Sequence, residues 1–321
     1  MKDLDIKFSA PMAIAARALQ PTAEVGRENE FETMPDLETY VQQMALAVGD
    51  KVDHIDRHFS QYHDIDVVID FGCADGTMLR YFQTQYPHLT CIGYDIAPEM
   101  VRLAQQKNRE VGMGDMLVTM HWDEVQAWLD QMHREGKKAV LVLSSVLHEV
   151  FHYLPKEKEV EFWDRVWNSG FDSVAIRDMM VSEKLEQKAS HADDVAKVRA
   201  RFEEEPEKHA EWTRKIGQWE ELWGPLENKK SLVHFLMTYP YESNWERELR
   251  EDYFPISLER LQASIPANYE VTEFQQYLLE YRKKEVAKDF GFTLDEPTHI
   301  KLVLRKVELA KERGQPSLGL H

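Results

Sequence analysis

The sequence predicts an α/β protein built on a doubly wound, mostly parallel seven-stranded sheet with a C-terminal antiparallel hairpin, an N-terminal helical segment and a helical insert. Three observations predict it. Residues 67–76, VVIDFGCADG, place a β-branched apolar run without alternation ahead of a small-residue turn, as in a strand covered on both faces of a parallel sheet. From about residue 64 to 178, apolar runs alternate with stretches of helical period, the rhythm of a doubly wound sheet. That rhythm breaks near Met179, and strand signals return only late in the chain.

Taken in order, residues 1–63 read as mainly helical and as a lid ahead of the sheet. Asp36 can cap a helix whose apolar positions Leu37, Val41, Met44, Leu46, Val48, Val52 and Ile55 recur at helical spacing. Residues 64–181 form the doubly wound, Rossmann-like core, with strands expected near 66–70, 90–94, 116–120, 139–144 and 173–178 and helices at 76–86, 98–110, 123–134 and 156–168. Residues 182–264, rich in charge and Trp, read as a helical insert forming a substrate subdomain. Residues 265–307 return two strands, 269–278 and 299–306, that close the core sheet, and 308–321 reads as a disordered tail. No internal repeat is visible.

At 321 residues the chain is long enough for two domains or one decorated domain. Its 39 Lys and Arg against 57 Asp and Glu give a formal net charge of −18, which repels polyanions at long range and disfavours extended nucleic acid as a partner without excluding it. Both cysteines, Cys73 and Cys91, fall in expected core segments, which suits a reducing compartment better than a disulfide scaffold. No apolar run approaches the ~18 residues of a membrane span, and MKDLDIKFSA lacks a signal-peptide core. The expectation is a cytoplasmic protein with no membrane partner; the oligomeric state is left open.

The turn carries the chemistry. Gly72, Ala74 and Gly76 allow sharp bends and close backbone approach to a ligand, and Thr77–Gln85 carries helical periodicity, so the turn lies at a helix N-terminus. Asp95 closes the next apolar run, CIGYD, roughly 20 residues past the turn, where an acid is placed to accept from ribose hydroxyls. A dinucleotide fingerprint fits poorly, because Ala74 and Thr77 stand at its second and third glycines. An acid followed by G-x-(G/A)-x-G, here Asp70, Gly72, Ala74 and Gly76, instead resembles motif I of the class I S-adenosylmethionine-dependent methyltransferases, and Asp95 resembles their ribose-binding acid. The resemblance covers about 64–178 and 265–307. It implies S-adenosylmethionine as cofactor, with contacts from Asp70, Gly72, Cys73, Ala74, Gly76, Asp95, Ile96 and Met100. After the third strand it implies contacts from His121, Trp122 and Asp123, with Trp122 stacking on adenine and Asp123 accepting from its amino group. After the fourth strand it implies contacts from Ser144 and Ser145. A helix-capping role for Asp123 is an equal alternative.

His148-Glu149-Val150-Phe151-His152 matches H-E-x-x-H, a zinc-hydrolase spacing. Pro155 and Lys158 stand where the extended zinc pattern wants glycine and histidine, and Pro155 cuts the helix short. The segment also follows the expected fourth strand directly, where the resemblance implies a catalytic loop. His148, Glu149 and His152 are therefore candidates for proton handling or acceptor orientation. No metal is expected. A metal-assisted nucleotide or RNA methyltransferase using the same three residues is an alternative; the fuller E-x-x-E-H pattern is absent because Ser145 occupies its first position. Packing of His148 beside the cofactor is the plainer reading.

His54, His58 and His63 lack a carboxylate or cysteine at ligand spacing and read as a solvated helix face. Arg177 and Asp178 end the fifth strand, facing an acceptor or pairing in the core. Trp212, Trp219, Trp223 and Trp245 read as core of the insert, with an aromatic acceptor pocket as the alternative, and Arg282, Lys283, Lys284, Lys301, Arg305 and Lys306 as a solvated hairpin face, with contact to a phosphate-bearing substrate as the alternative. The expected activity is transfer of a methyl group to an oxygen or nitrogen of a small-molecule or nucleotide acceptor. Aminocarboxypropyl transfer, or a regulatory pocket without catalysis, are the alternatives.

Overall fold

The structure of the protein, a computed structural model, describes residues 48–308; the expectations for Asp36, for the rest of 1–47 and for 309–321 lie outside them. Seven strands form: β1 (Val67–Phe71), β2 (Thr90–Tyr94), β3 (Leu117–Thr119), β4 (Ala139–Ser144), β5 (Ser173–Met179), β6 (Tyr269–Tyr277) and β7 (His299–Lys306). They make one sheet in the order β3-β2-β1-β4-β5-β7-β6. β1 pairs in parallel with β2 and β4, β2 with β3, and β4 with β5. β7 runs against both neighbours. Lys306 N donates to Asp172 O at the start of β5, whereas Met180 N beyond its end donates to Thr298 O; on the other side Val307 N donates to Asn268 O and Thr298 N to Tyr277 O. This is the expected fold, a mostly parallel sheet with antiparallel closing strands.

Helices α1 (Val48–Gln61), α2 (Thr77–Gln85), α3 (Pro98–Glu110), α4 (Trp122–Arg134), α5 (Leu147–Tyr153) and α6 (Glu159–Asn168) fill the crossovers and flank. Because strand side chains alternate, register assigns the faces. Val68, Cys91, Val118, Val140 and Val142 lie on one face, buried beneath Val52, Ile55 and Phe59 of α1, Leu79 and Phe82 of α2 and Ala104 of α3. Phe71 lies on the other, meeting Trp122 of α4 and Phe162 of α6 edge-on at ring-centroid distances of 5.4 and 6.4 Å.

The described residues divide into two compact units, 48–177 with 264–274 and 301–308, and 178–263 with 275–300. The second is helical, with α7 (Ala192–Arg199), α8 (Pro206–Trp223), α9 (Lys229–Thr238), α10 (Trp245–Glu248), α11 (Leu258–Ser264) and α12 (Glu280–Phe290). Its core gathers Trp212, Trp219, Trp245, Phe235 and Phe290, with Trp223 packed at the edge, so the tryptophans build the core. α12 lies in the connection between β6 and β7. The sequence reading placed no helix there, since EYRKKEVAKDF offers only Val286 and Phe290 as buried apolar positions.

Two expectations require correction. His54 and His58 are 0% and 3% exposed and face the sheet, while His63 alone of the three is exposed. The late basic residues are not one solvated face. Arg282 is buried and paired with Glu285, Lys301 is buried against Asp50 and Asp53 at 2.8 and 2.7 Å, and Arg305 pairs with Asp64 over the Tyr62 ring.

Candidate active site

The strand order reverses between β1 and β4, and the chain leaves both at the carboxyl edge, where open α/β sheets bind ligands. The turn after β1 is a series of left-handed residues, Gly72 at φ 77°, Ala74 at 46° and Gly76 at 75°. Gly72 is required twice over: a Cβ there would also meet Val146 Cγ2, just past β4, at 2.6 Å. Ala74 is held in its less favourable conformation by a hydrogen bond, its N donating to Asp95 Oδ2 at 2.8 Å, and Asp95 Oδ1 accepts from Ala97 N at 2.9 Å. Gly72 N and Cys73 N both donate to Tyr94 O, at 2.8 and 2.9 Å. The ribose-acid candidate is thus also the clamp of the turn. Cys73 is buried, Ile96 half-buried and Met100 fully buried around it.

Asp70 is 1% exposed, and neither of its carboxylate oxygens has a hydrogen-bond partner. Burial, with the charges of Asp95 and Asp75 adding to it against Lys51, pushes its pKa up to about 7. On the same face β4 pairs Ser144 with Arg177 of β5. Ser144 Oγ is buried and without a partner, and Ser145 sits at φ 55° with its Oγ accepting from Arg177 Nη1 at 2.7 Å. Arg177 pairs with Asp50 of α1 at 2.7 Å, which answers to the core-pairing reading of that residue.

α5 begins two residues past Ser145, so its first turn follows the β4 edge directly. His148 on it is buried, with Glu149 and His152 half-buried. Among the described residues His148 and Glu149 belong to a group of candidate metal ligands, which His152 does not join. Past β3, His121 and Asp123 are exposed. Trp122 is 7% exposed, with its ring edge-on to Phe71 and to Tyr94 at 5.3 Å, an aromatic floor beneath the strand ends. Asp123 makes no side-chain cap. α4 begins at Trp122, and the turn before it is tied by His121 N donating to Thr119 Oγ1 at 3.1 Å.

Sequence reasoning missed the brace on the turn. Asp75 accepts from Thr77 N at 3.1 Å and from Thr77 Oγ1 at 2.7 Å, and pairs with Lys107 of α3 at 2.8 Å. Arg80 Nη1 donates to Asp75 O at 2.7 Å and to Asn108 Oδ1 at 3.1 Å. Burial opposes the charge on Asp75, yet the bonds from Lys107 and Thr77 outweigh it and hold its pKa below the ordinary value. An Asp two residues before a helix-opening Thr was the available signal. Lys107, a distant residue, left none.

Residues 68–169 match a family model described as a methyltransferase domain. No curated protein matches the chain. Similar solved structures include the plantazolicin methyltransferase BpumL in complex with SAH, 10% identical with a TM-score of 0.43, covering 93% of this chain and 97% of that one. Another is the mitomycin 7-O-methyltransferase MmcR, 10% identical with a TM-score of 0.44, covering 92% and 66%. A SAM-dependent methyltransferase from Archaeoglobus fulgidus is 12% identical with a TM-score of 0.39, covering 78% and 90%. Over residues 68–169 this chain matches a methyltransferase domain. Such a domain calls for a methyl donor, and the resemblance of the glycine turn to motif I implies S-adenosylmethionine. The site fits that cofactor on its own observations: an orphaned buried carboxyl, an orphaned serine hydroxyl, and a glycine turn fixed by an acid at the end of the next strand.

Proposed function

We propose that the enzyme methylates an oxygen or nitrogen of a small-molecule or nucleotide acceptor, with His148 taking up the acceptor's proton. The observation that carries this reading is the place of His148, buried on the first turn of α5 immediately beyond the β4 edge that holds Ser144 and Ser145. S-adenosylmethionine supplies a methyl group already activated on a positive sulfur, so the chain's own task is alignment and proton transfer. Asp95, oriented by Ala74 N and Ala97 N, is the acid at the end of β2 that accepts from ribose hydroxyls. Asp70 offers a carboxylate to an ammonium, Ser144 a hydroxyl, and the turn from Gly72 through Cys73 and Ala74 to Gly76 lets backbone approach the ligand, with Ile96, Met100 and Trp122 as its apolar surround. His121 and Asp123, exposed at the start of α4, lie at the rim. A neutral imidazole at His148 accepts the proton of a hydroxyl or amine, and Glu149 and His152 orient the acceptor.

The test is calorimetric titration with S-adenosylmethionine and S-adenosylhomocysteine, followed by an acceptor screen read by mass spectrometry. Asp95→Ala is expected to abolish binding. His148→Ala is expected to leave cofactor affinity unchanged while lowering kcat roughly 10²- to 10⁴-fold. A product heavier by an aminocarboxypropyl group rather than a methyl group overturns the choice of transferred group, and failure of both ligands to bind overturns the cofactor assignment.

A further inference from the structure

Among the described residues Asp70 alone has both carboxylate oxygens buried without a hydrogen-bond partner. Its surroundings explain why nothing inside the fold supplies one. In register, β2 and β4 set Gly93 and Val142 beside it, one without a side chain and the other apolar. The thiols of Cys73 and Cys91, kept neutral by burial and by the nearby acids, bring no positive charge, and Cys73 Sγ donates instead to Ala74 O at 3.8 Å. Lys51 of α1 attracts the charge, while Asp75 in the turn and Asp95 past β2 repel it. A carboxylate so placed carries the desolvation cost of an unpaired buried charge, which a protein escapes by holding a proton or by receiving a cation. The site described above is built to receive one, since an amino-acid-bearing nucleoside brings an ammonium group.

We propose that this site exchanges a proton for its ligand: Asp70 stands as a neutral acid in the ligand-free enzyme and gives its proton to solvent when the ammonium of an amino-acid-bearing nucleoside docks against it. The inference rests on the S-adenosylmethionine reading of the site. The balance is simple. The Asp70 O–H bond breaks, the proton passes to buffer, the ammonium keeps its three protons, and nothing is oxidised or reduced.

Two consequences follow, and both set Asp70 apart from a merely structural acid. Affinity for ammonium-bearing ligands climbs with pH, by at most about tenfold per unit below the Asp70 pKa, and levels off above it. Burial sets that bend near the value of about 7. A ligand with the same nucleoside and thioether but no amino acid binds with no such dependence.

Titration of the full chain with S-adenosylhomocysteine at about pH 7, in buffers of contrasting ionisation enthalpy, measures the protons released per ligand bound. The expected value is about half a proton, rising towards one near pH 6 and falling towards zero above pH 8. 5′-Methylthioadenosine, which lacks the amino acid, is expected to bind the same protein without release, and this comparison needs no variant to fold. Asp70→Asn is expected to bind S-adenosylhomocysteine more weakly, with the release gone. Binding heats that do not depend on buffer overturn the linkage alone. So does equal release with 5′-methylthioadenosine, or release that survives in Asp70→Asn. Absence of S-adenosylhomocysteine binding at every pH overturns the cofactor reading and the linkage with it.

Discussion

Ala74 spends its conformation on the ligand turn without glycine's freedom, and the residues that make this possible can be separated by experiment. Asp95 holds its amide, while Asp75, Lys107 and Arg80 fix the next two residues against α2 and α3. Asp75→Ala removes a helix cap and the acceptor for Lys107, a loss of roughly 1–2 kcal/mol in stability. Lys107→Met leaves the cap in place and is expected to weaken cofactor binding several-fold with little change in kcat, a KM-against-kcat split that steady-state kinetics reads directly. Lys107→Arg, which keeps the charge facing Asp75, is expected to restore it. Equal affinity in Lys107→Met and the natural chain would show that the turn stands without the brace. An Ala74→Gly variant should tolerate the same backbone, because the glycine it introduces adopts φ 46° without strain.

The elements differ in how far they could be read ahead. All seven strands were legible to within about a residue, because β-branched runs in a two-sided sheet need no alternation to be recognised. The crossover helices were legible from their apolar period. α12 was not, since its buried face is carried by Arg282 beside Val286 and Phe290, and a buried arginine looks like surface in a sequence. α1 misled for the same reason. Its apolar positions Val52, Ile55 and Phe59 mark a stripe, but the buried face is wider and takes in His54 and His58. At the site the glycine turn and Asp95 were readable as chemistry, whereas the missing partners of Asp70 depend on what stands across the sheet.

Burial of His58 has a measurable price in acid. Burial first, then the Arg305 charge, pushes its pKa down to about 4, with Asp64 and Glu273 acting in the other direction and Ser173 Oγ 3.0 Å from its Nε2. A histidine whose folded pKa lies below its unfolded value stabilises the fold fully above about pH 6.5 and loses that contribution as pH falls towards 4. His54 shifts the same way, through burial against the pull of Asp53. His58→Gln is therefore expected to lose less stability than the natural chain between about pH 6.5 and 4, by roughly 1–2 kcal/mol in denaturant melts. Parallel curves for the two proteins over that window would remove His58 from the account.

At the scale of the whole molecule, charge argues about the class of acceptor. The chain carries a formal net charge of −18, and of the six basic residues that stand out late in the sequence, Arg282 is occupied by Glu285, Lys301 by Asp50 and Asp53, and Arg305 by Asp64. Extended RNA or DNA is accordingly expected to bind too weakly to be retained in filter assays at about 0.15 M salt, where screening leaves only short-range contacts. Retention that declines steeply with added salt would point to a polyanion surface and move the acceptor from small molecules to nucleic acid. Among the described residues no helix is long and apolar enough to cross a membrane.

The place of β7 in the sheet sets an order of events during synthesis. β7 follows β6 in the chain, yet it lies inside, between β5 and β6, so β6 reaches the sheet only through it. A ribosome that has made everything through residue 298 has therefore delivered five strands that can pair, a sixth with no neighbour to hold it, and an open edge on β5. Until the last strand emerges, that edge is a template for other chains, and nascent-chain pausing or truncation in this stretch should favour aggregation over a partly working enzyme.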